Sequence, residues 1–244
     1  MTSVIGNLQQ VHERIATACS RAGRAVHSVT LLGVCKTFPA AAVRQAFDAG
    51  QRDFGENQVQ DALDKMAQLA ELRPDMRWHL IGPLQSNKTR AVAESFDWVH
   101  SVDRLKVAQR LSDQRPTNLP PLQVCLQVNI SGEASKSGVS PFDVLALAQA
   151  VASLPRLRLR GLMSIPAPAR GEALQRAPHR RLRELLQSLQ SQNLRSQGLA
   201  LDTLSMGMSD DLEAAVAEGS TLLRVGRALF GAREQDRPAS ATQE

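Results

Sequence analysis

Tyrosine does not occur in this sequence, and the other aromatics are six phenylalanines and two tryptophans. So few rings leave no stacking platform of the kind that single-stranded nucleic acid needs. Cysteine is limited to Cys19, Cys35 and Cys125. Three isolated thiols make neither a zinc ligand set nor a disulfide framework, and they suit a reducing compartment. No apolar run approaches the ~20 residues of a membrane span. The opening MTSVIGNLQQVHERI has no cationic stretch followed by an apolar core, so no signal peptide is expected. No G-x-G-x-x-G follows the first apolar run, which argues against a dinucleotide-binding open sheet. No internal repeat is present. These absences point to a cytoplasmic chain with no membrane association.

What is present is a regular alternation. Short apolar runs begin at Val29, Arg52, Arg77, Asp97, Leu122, Leu157, Leu201 and Thr221, and amphipathic segments fill most of the gaps. Eight strands interleaved with helices read as an α/β protein, a single (β/α)8 barrel of the TIM type, and 244 residues is an ordinary length for one. An extra helix from Ser3 to about Arg21 precedes the first strand. Pro39 and Gly50 bracket one helix, SPFD from Ser140 starts another, and Pro178 opens a long basic helix that closes near Gly198. Residues 1–233 are expected to form one domain and 234–244 a frayed polar tail. The net charge of +5 comes largely from arginines between Arg156 and Arg195. RRLRELLQSLQ from Arg180 places them on the solvated face of an amphipathic helix, so no specific nucleic-acid partner is expected.

Barrel chemistry sits where strands end. The first strand ends at Lys36, in GVCKTFP. A lysine there is either a cation whose stem lies on the barrel or an amine whose apolar surroundings favour the neutral, nucleophilic form. LRVGRALFG from Leu223 has the form of the phosphate loop that follows the eighth strand, with backbone N–H groups at Gly226 and Arg227. LSMGMS from Leu204 offers a facing wall with the hydroxyls of Ser205 and Ser209. Arg224 lies two residues before Gly226, on the same strand face. His79, Asn57 and Lys136 fall near the same pole, each also compatible with a packing, capping or loop role. An imine-forming lysine with a phosphate cradle fits pyridoxal 5′-phosphate. A lysine aldolase acting on a sugar phosphate needs similar parts.

Seven blocks in order, GVCKTFP, FGENQVQ, WHLIGPLQSNK, VNISGEASKSG, RGLMSIPAP, LSMGMSDDLEAAVAEGSTLLRVG and ALFG, resemble the pyridoxal phosphate homeostasis protein family from about Ile5 to Gly231. The resemblance implies a barrel similar to the N-terminal domain of alanine racemase, with the cofactor held as an aldimine on Lys36. It implies phosphate contacts among Ser205, Gly207, Ser209, Gly226 and Arg227, with Arg224 against the pyridine nitrogen and Asn57 and His79 flanking the ring. It also implies a role in intracellular vitamin B6 homeostasis, with apo-enzymes as recipients. The sequence departs from the family pattern at Cys35, Phe38 and Arg227.

Two functions follow from such a site. A racemase or related enzyme needs a proton-transfer group on each face of the substrate carbon. Alanine racemases supply the second as a tyrosine, with a further β-domain, and this chain has neither. A non-catalytic carrier needs the cofactor site alone. The expectation is therefore a monomeric, non-enzymatic carrier.

Overall fold

The computed structural model describes residues 3–133, 136–192 and 200–231. The polar tail lies outside them, as do Gly198 and the predicted end of the basic helix. Eight parallel strands close into a barrel in sequential order. They are β1 (Thr30–Val34), β2 (Asp53–Glu56), β3 (Arg77–Leu80), β4 (Trp98–Val102), β5 (Leu122–Gln127), β6 (Leu157–Met163), β7 (Thr203–Ser205) and β8 (Leu222–Val225). Each of the eight apolar runs supplies one of them. Closure is made by β8 on β1, with Leu32 opposite Arg224 and Gly33 opposite Val225.

Helices cover the outside: α1 (Val4–Arg21), α2 (Ala40–Asp48), α3 (Val59–Gln68), α4 (Thr89–Ser95), α5 (Leu105–Gln114), α6 (Val144–Ala152), α7 (Glu172–Ser191), α8 (Leu212–Ala217) and the single turn α9 (Arg227–Phe230). The main apolar core lies between this ring and the outer strand faces, where Phe54, Trp78, Phe96 and Leu159 are enclosed. Inward positions alternate with outward ones. Leu32, Val34, Ile81 and Leu222 form a small separate cluster inside the barrel.

The extra N-terminal helix is present. Ser3 caps α1 by accepting from the Gly6 N–H. Leu8, Val11, Ile15 and Cys19 form its buried face. Its polar residues reach the far end of the chain. Asn7 donates to the Leu229 carbonyl, and Arg14 donates to the Ser209 carbonyl and both carboxylate oxygens of Glu213.

Two helix starts differ from expectation. α6 begins at Val144 rather than within Ser140–Asp143, because the Ser140 hydroxyl accepts from the Phe142 N–H in a local turn. α7 begins at Glu172, six residues before Pro178. The carbonyl that Pro178 leaves unbonded belongs to Leu174, an exposed residue where water can serve it. No helix among the described residues is long and apolar enough to cross a membrane.

Candidate functional site

A cavity of about 640 Å³ opens at the C-terminal ends of the strands. Lys36 enters it from the turn that follows β1, two residues beyond Val34, whose side chain lines the same space. Lys36, Asn57, Ser209, Arg224, Gly226 and Arg227 all line this one space, and so does Lys136. Lys136 pairs with Glu133 at 2.8 Å. Val34, Ile81, Pro83, Ile165 and Met208 supply apolar walls.

Three features fix Lys36 in place. Below it, Cys35 is fully buried, and its thiol donates to Glu56 Oε1 at 3.2 Å. Burial, reinforced by Glu56, pushes that thiol well above its ordinary pKa, so Cys35 is an inert small core residue. Lys65, from α3, reaches under the barrel edge and donates to Glu56 Oε1 and to the Cys35 carbonyl at 2.8 Å. Phe38 stacks on Phe230 with centroids 5.1 Å apart, so it ties the Lys36 loop to α9.

Arg224 is 4 % exposed. Nη1 donates to the Ser205 carbonyl and hydroxyl at 2.5 and 2.8 Å, and Nη2 donates to the Ser164 carbonyl at 2.7 Å. Burial lowers its pKa to about 10, which leaves it charged at neutral pH. Two close approaches shape the walls. A Cβ on Gly82 would lie 2.1 Å from the Asn57 carbonyl oxygen, and one on Gly226 would lie 3.1 Å from that of Val34. The loop after β7 is held from behind. Asp211 accepts from the Met208 N–H at 2.6 Å and pairs with His179 Nε2 at 2.9 Å. Arg227 pairs with Asp210 at 2.5 Å.

Three sequence-derived site residues lie elsewhere. Ser205 is fully buried beneath the cavity floor, its oxygen engaged by Arg224 and His100. Gly207 serves packing. Its φ is 93°, and a Cβ there would lie 2.4 Å from that of Ala215. His79 is one inward step too deep. Ile81, two residues on, reaches the upper cavity, while His79 faces the opposite mouth of the barrel with Asp53 and Trp98. Strand alternation gives the face of a residue but not its depth. Gln127, Met208 and Asp210 line the cavity without having been singled out.

The lower mouth holds a separate network. Arg77 donates twice to Asp53, at 2.6 Å each, and His79 stacks on Trp98 at 5.4 Å. Burial alone would raise the Asp53 pKa, but the bonds from Arg77 and His79 outweigh it and hold it at about 2. A depressed carboxylate stabilises the fold above its ordinary value of 3.8 and loses that contribution as pH falls toward 2. Asp53→Asn is therefore expected to cost about 2 kcal/mol at neutral pH. In denaturant titrations that gap should narrow below about pH 4; a pH-independent gap would refute the assignment.

The residues present suit one class of ligand. Lys36, Lys136, Arg224 and Arg227 set four cations against the single lining carboxylate of Asp210. Apolar walls, one amine at a strand end and a glycine turn before α9 complete the set. This composition fits a flat, phosphorylated ring bearing a carbonyl, which is the chemistry of pyridoxal 5′-phosphate.

Comparisons agree with this reading. Residues 6–234 match the family model described as alanine racemase, N-terminal domain. The pyridoxal phosphate homeostasis protein of Pseudomonas aeruginosa is 61% identical over 98% of this chain and 100% of its own length. That of Escherichia coli K12 is 52% identical over 96% and 98%. The structure of PipY from Synechococcus elongatus PCC7942 with pyridoxal phosphate bound is 42% identical, with a TM-score of 0.78, over 91% of this chain and 100% of that one.

Proposed function

Since the chain belongs to the pyridoxal phosphate homeostasis protein family, built on the alanine racemase N-terminal domain, we propose that it holds pyridoxal 5′-phosphate covalently on Lys36 and serves intracellular vitamin B6 homeostasis as a carrier. The observation that carries this reading is the convergence of Lys36 from β1 and Arg224 from β8 on one cationic cavity. When bound, the cofactor supplies an aldehyde that an amine can capture and a ring that withdraws electrons.

The chain's own residues divide the work. Lys36 provides the attaching amine. Ser209, Gly226 and Arg227 receive the phosphate, and Arg227 adds a charge already steadied by Asp210. Asn57 borders the ring, with its backbone held close to Gly82. Arg224 would meet the pyridine nitrogen. A guanidinium only donates, so the nitrogen keeps its lone pair and the ring withdraws electrons less strongly. The residues up to 233 serve this single site as one domain, acting as a monomer in the cytoplasm, with apo-enzymes as the recipients.

The carrier reading is favoured over a racemase by what surrounds the cavity. There is no tyrosine in the sequence. The second amine at the cavity, Lys136, is paired to Glu133. Purified protein loaded with pyridoxal phosphate is expected to racemise alanine far more slowly than about 1 per second. Turnover at or above that rate, followed by chiral chromatography, would refute the carrier reading.

A further inference from the structure

A continuous polar chain crosses the barrel interior from the lower mouth to Arg224. Arg224 Nη1 lies 2.8 Å from Ser205 Oγ, and Ser205 Oγ lies 2.8 Å from His100 Nδ1. His100 Nε2 lies 3.0 Å from His79 Nδ1, and His79 Nε2 lies 3.1 Å from Asp53 Oδ1. All five residues are buried.

The two ends fix the direction of every link. Arginine carries donors only, so the Ser205 oxygen accepts from it. Asp53, kept ionised by its two bonds from Arg77, accepts only, so His79 Nε2 carries a proton. With one proton per ring, a single arrangement satisfies the middle. The Ser205 hydroxyl donates to His100 Nδ1, and His100 Nε2–H donates to His79 Nδ1. Reversing the middle would place two protons on His79. Burial, then His79 and Arg224, push His100 well below its ordinary pKa, in keeping with a neutral ring there.

A serine, a histidine and an aspartate in series also occur in hydrolytic relays. Ser205 cannot act that way, because it is fully enclosed below the cavity and its oxygen is taken by Arg224. What the chain does control is Arg224. The three bonds of that guanidinium go to two backbone carbonyls and this hydroxyl, and none goes to a carboxylate among the described residues. Its orientation therefore depends on neutral dipoles being turned the right way.

We propose that His100, backed by His79, is a positioning residue for the cofactor site: it turns the Ser205 hydroxyl so that its oxygen faces Arg224 and thereby sets the guanidinium that meets the pyridine nitrogen. This rests on the proposed function for the identity of the ligand. The hydrogen-bond order itself does not.

Two measurements test it. In ligand-free protein, ¹⁵N–¹H NMR should show His79 and His100 each with a single proton, on Nε2. A proton on Nδ1 of His100, or two on His79, would overturn the proposed order. In protein loaded with pyridoxal phosphate, His100→Phe should displace the visible absorption band and speed cofactor release about 10-fold. Ser205→Ala should do the same, and the double variant should match the single ones, because His100 acts through Ser205. His100→Asn, which restores an acceptor near the hydroxyl, should return the band toward that of the wild type. Additive effects, or an unmoved band in a folded His100→Phe, would overturn the proposal. Should His100→Phe fail to fold, Ser205→Ala and the NMR result decide. A wild-type protein that takes up no pyridoxal phosphate would refute the proposed function and the role given to Arg224, while the proton positions would still be read.

Discussion

Replacing Lys36 by alanine is expected to abolish covalent retention of pyridoxal phosphate. Borohydride reduction of the loaded wild-type protein should fix the cofactor on the peptide that contains Lys36, and the variant should yield no such adduct. The expectation follows from placement. Lys36 follows β1 into a cavity walled by Val34 and Ile81. That placement puts the amine within the space where a bound carbonyl would lie. The other lining cations remain in the variant, so phosphate-driven binding should persist while overall affinity falls on the order of 100-fold, about 3 kcal/mol. An adduct formed on Lys136 in comparable yield would show that the cavity, rather than the strand-end position, selects the amine.

The second large effect is expected beneath the site. Lys65→Met should destabilise the protein by about 3–5 kcal/mol, because it leaves Glu56 as a buried carboxylate without its counter-charge. Glu56 is 0 % exposed and Lys65 only 8 %. Glu56 Oε2 already has no hydrogen-bond partner among the described residues, so the pair has little in reserve. Lys65 also holds the carbonyl of Cys35, the residue next to Lys36, so the same variant should load cofactor less completely. Adding Glu56→Gln removes the stranded charge and should recover more than half of the loss. Urea denaturation of the wild type and the two variants measures this, and a single-variant cost below 1 kcal/mol would sink the argument.

The barrel was legible because each strand is an apolar run and each gap an amphipathic one. The amine was legible because Lys36 interrupts such a run at its end. Depth was not. His79 and Ile81 share a face of β3, and only closure of the barrel shows that the first looks down and the second up. Ser205 ends β7 and Gly207 sits in the loop beyond it, yet one is held under the floor by Arg224 and the other is pressed against α8. His100 gave no local signal, since its partners come from β3 and β7, 21 and 105 residues away. Lys65 reads as an ordinary polar position in VQDALDKMAQ. Nothing along the chain says that the barrel edge will close over it. Pro178 reads as a helix start because the pattern of residues does not show that the Leu174 carbonyl can be left to water.

The N-terminal helix carries a consequence for how the molecule is made. α1 is synthesised before every strand of the barrel, whereas Ser209, Glu213 and Leu229, to which its Arg14 and Asn7 bond, all follow β7. These pairings span 195 to 222 residues. Until α8 and α9 are made, the apolar face of Leu8, Val11 and Ile15 therefore lacks most of its packing partners. Contacts of such sequence separation are slow to form and expose the chain to aggregation meanwhile. The loop at Ser209, already held by Asp211, gains a further brace when that first helix returns to it. The cavity is therefore completed only after β8 and α9 are made, and a chain terminated before them lacks Arg224, Gly226 and Arg227 from its lining.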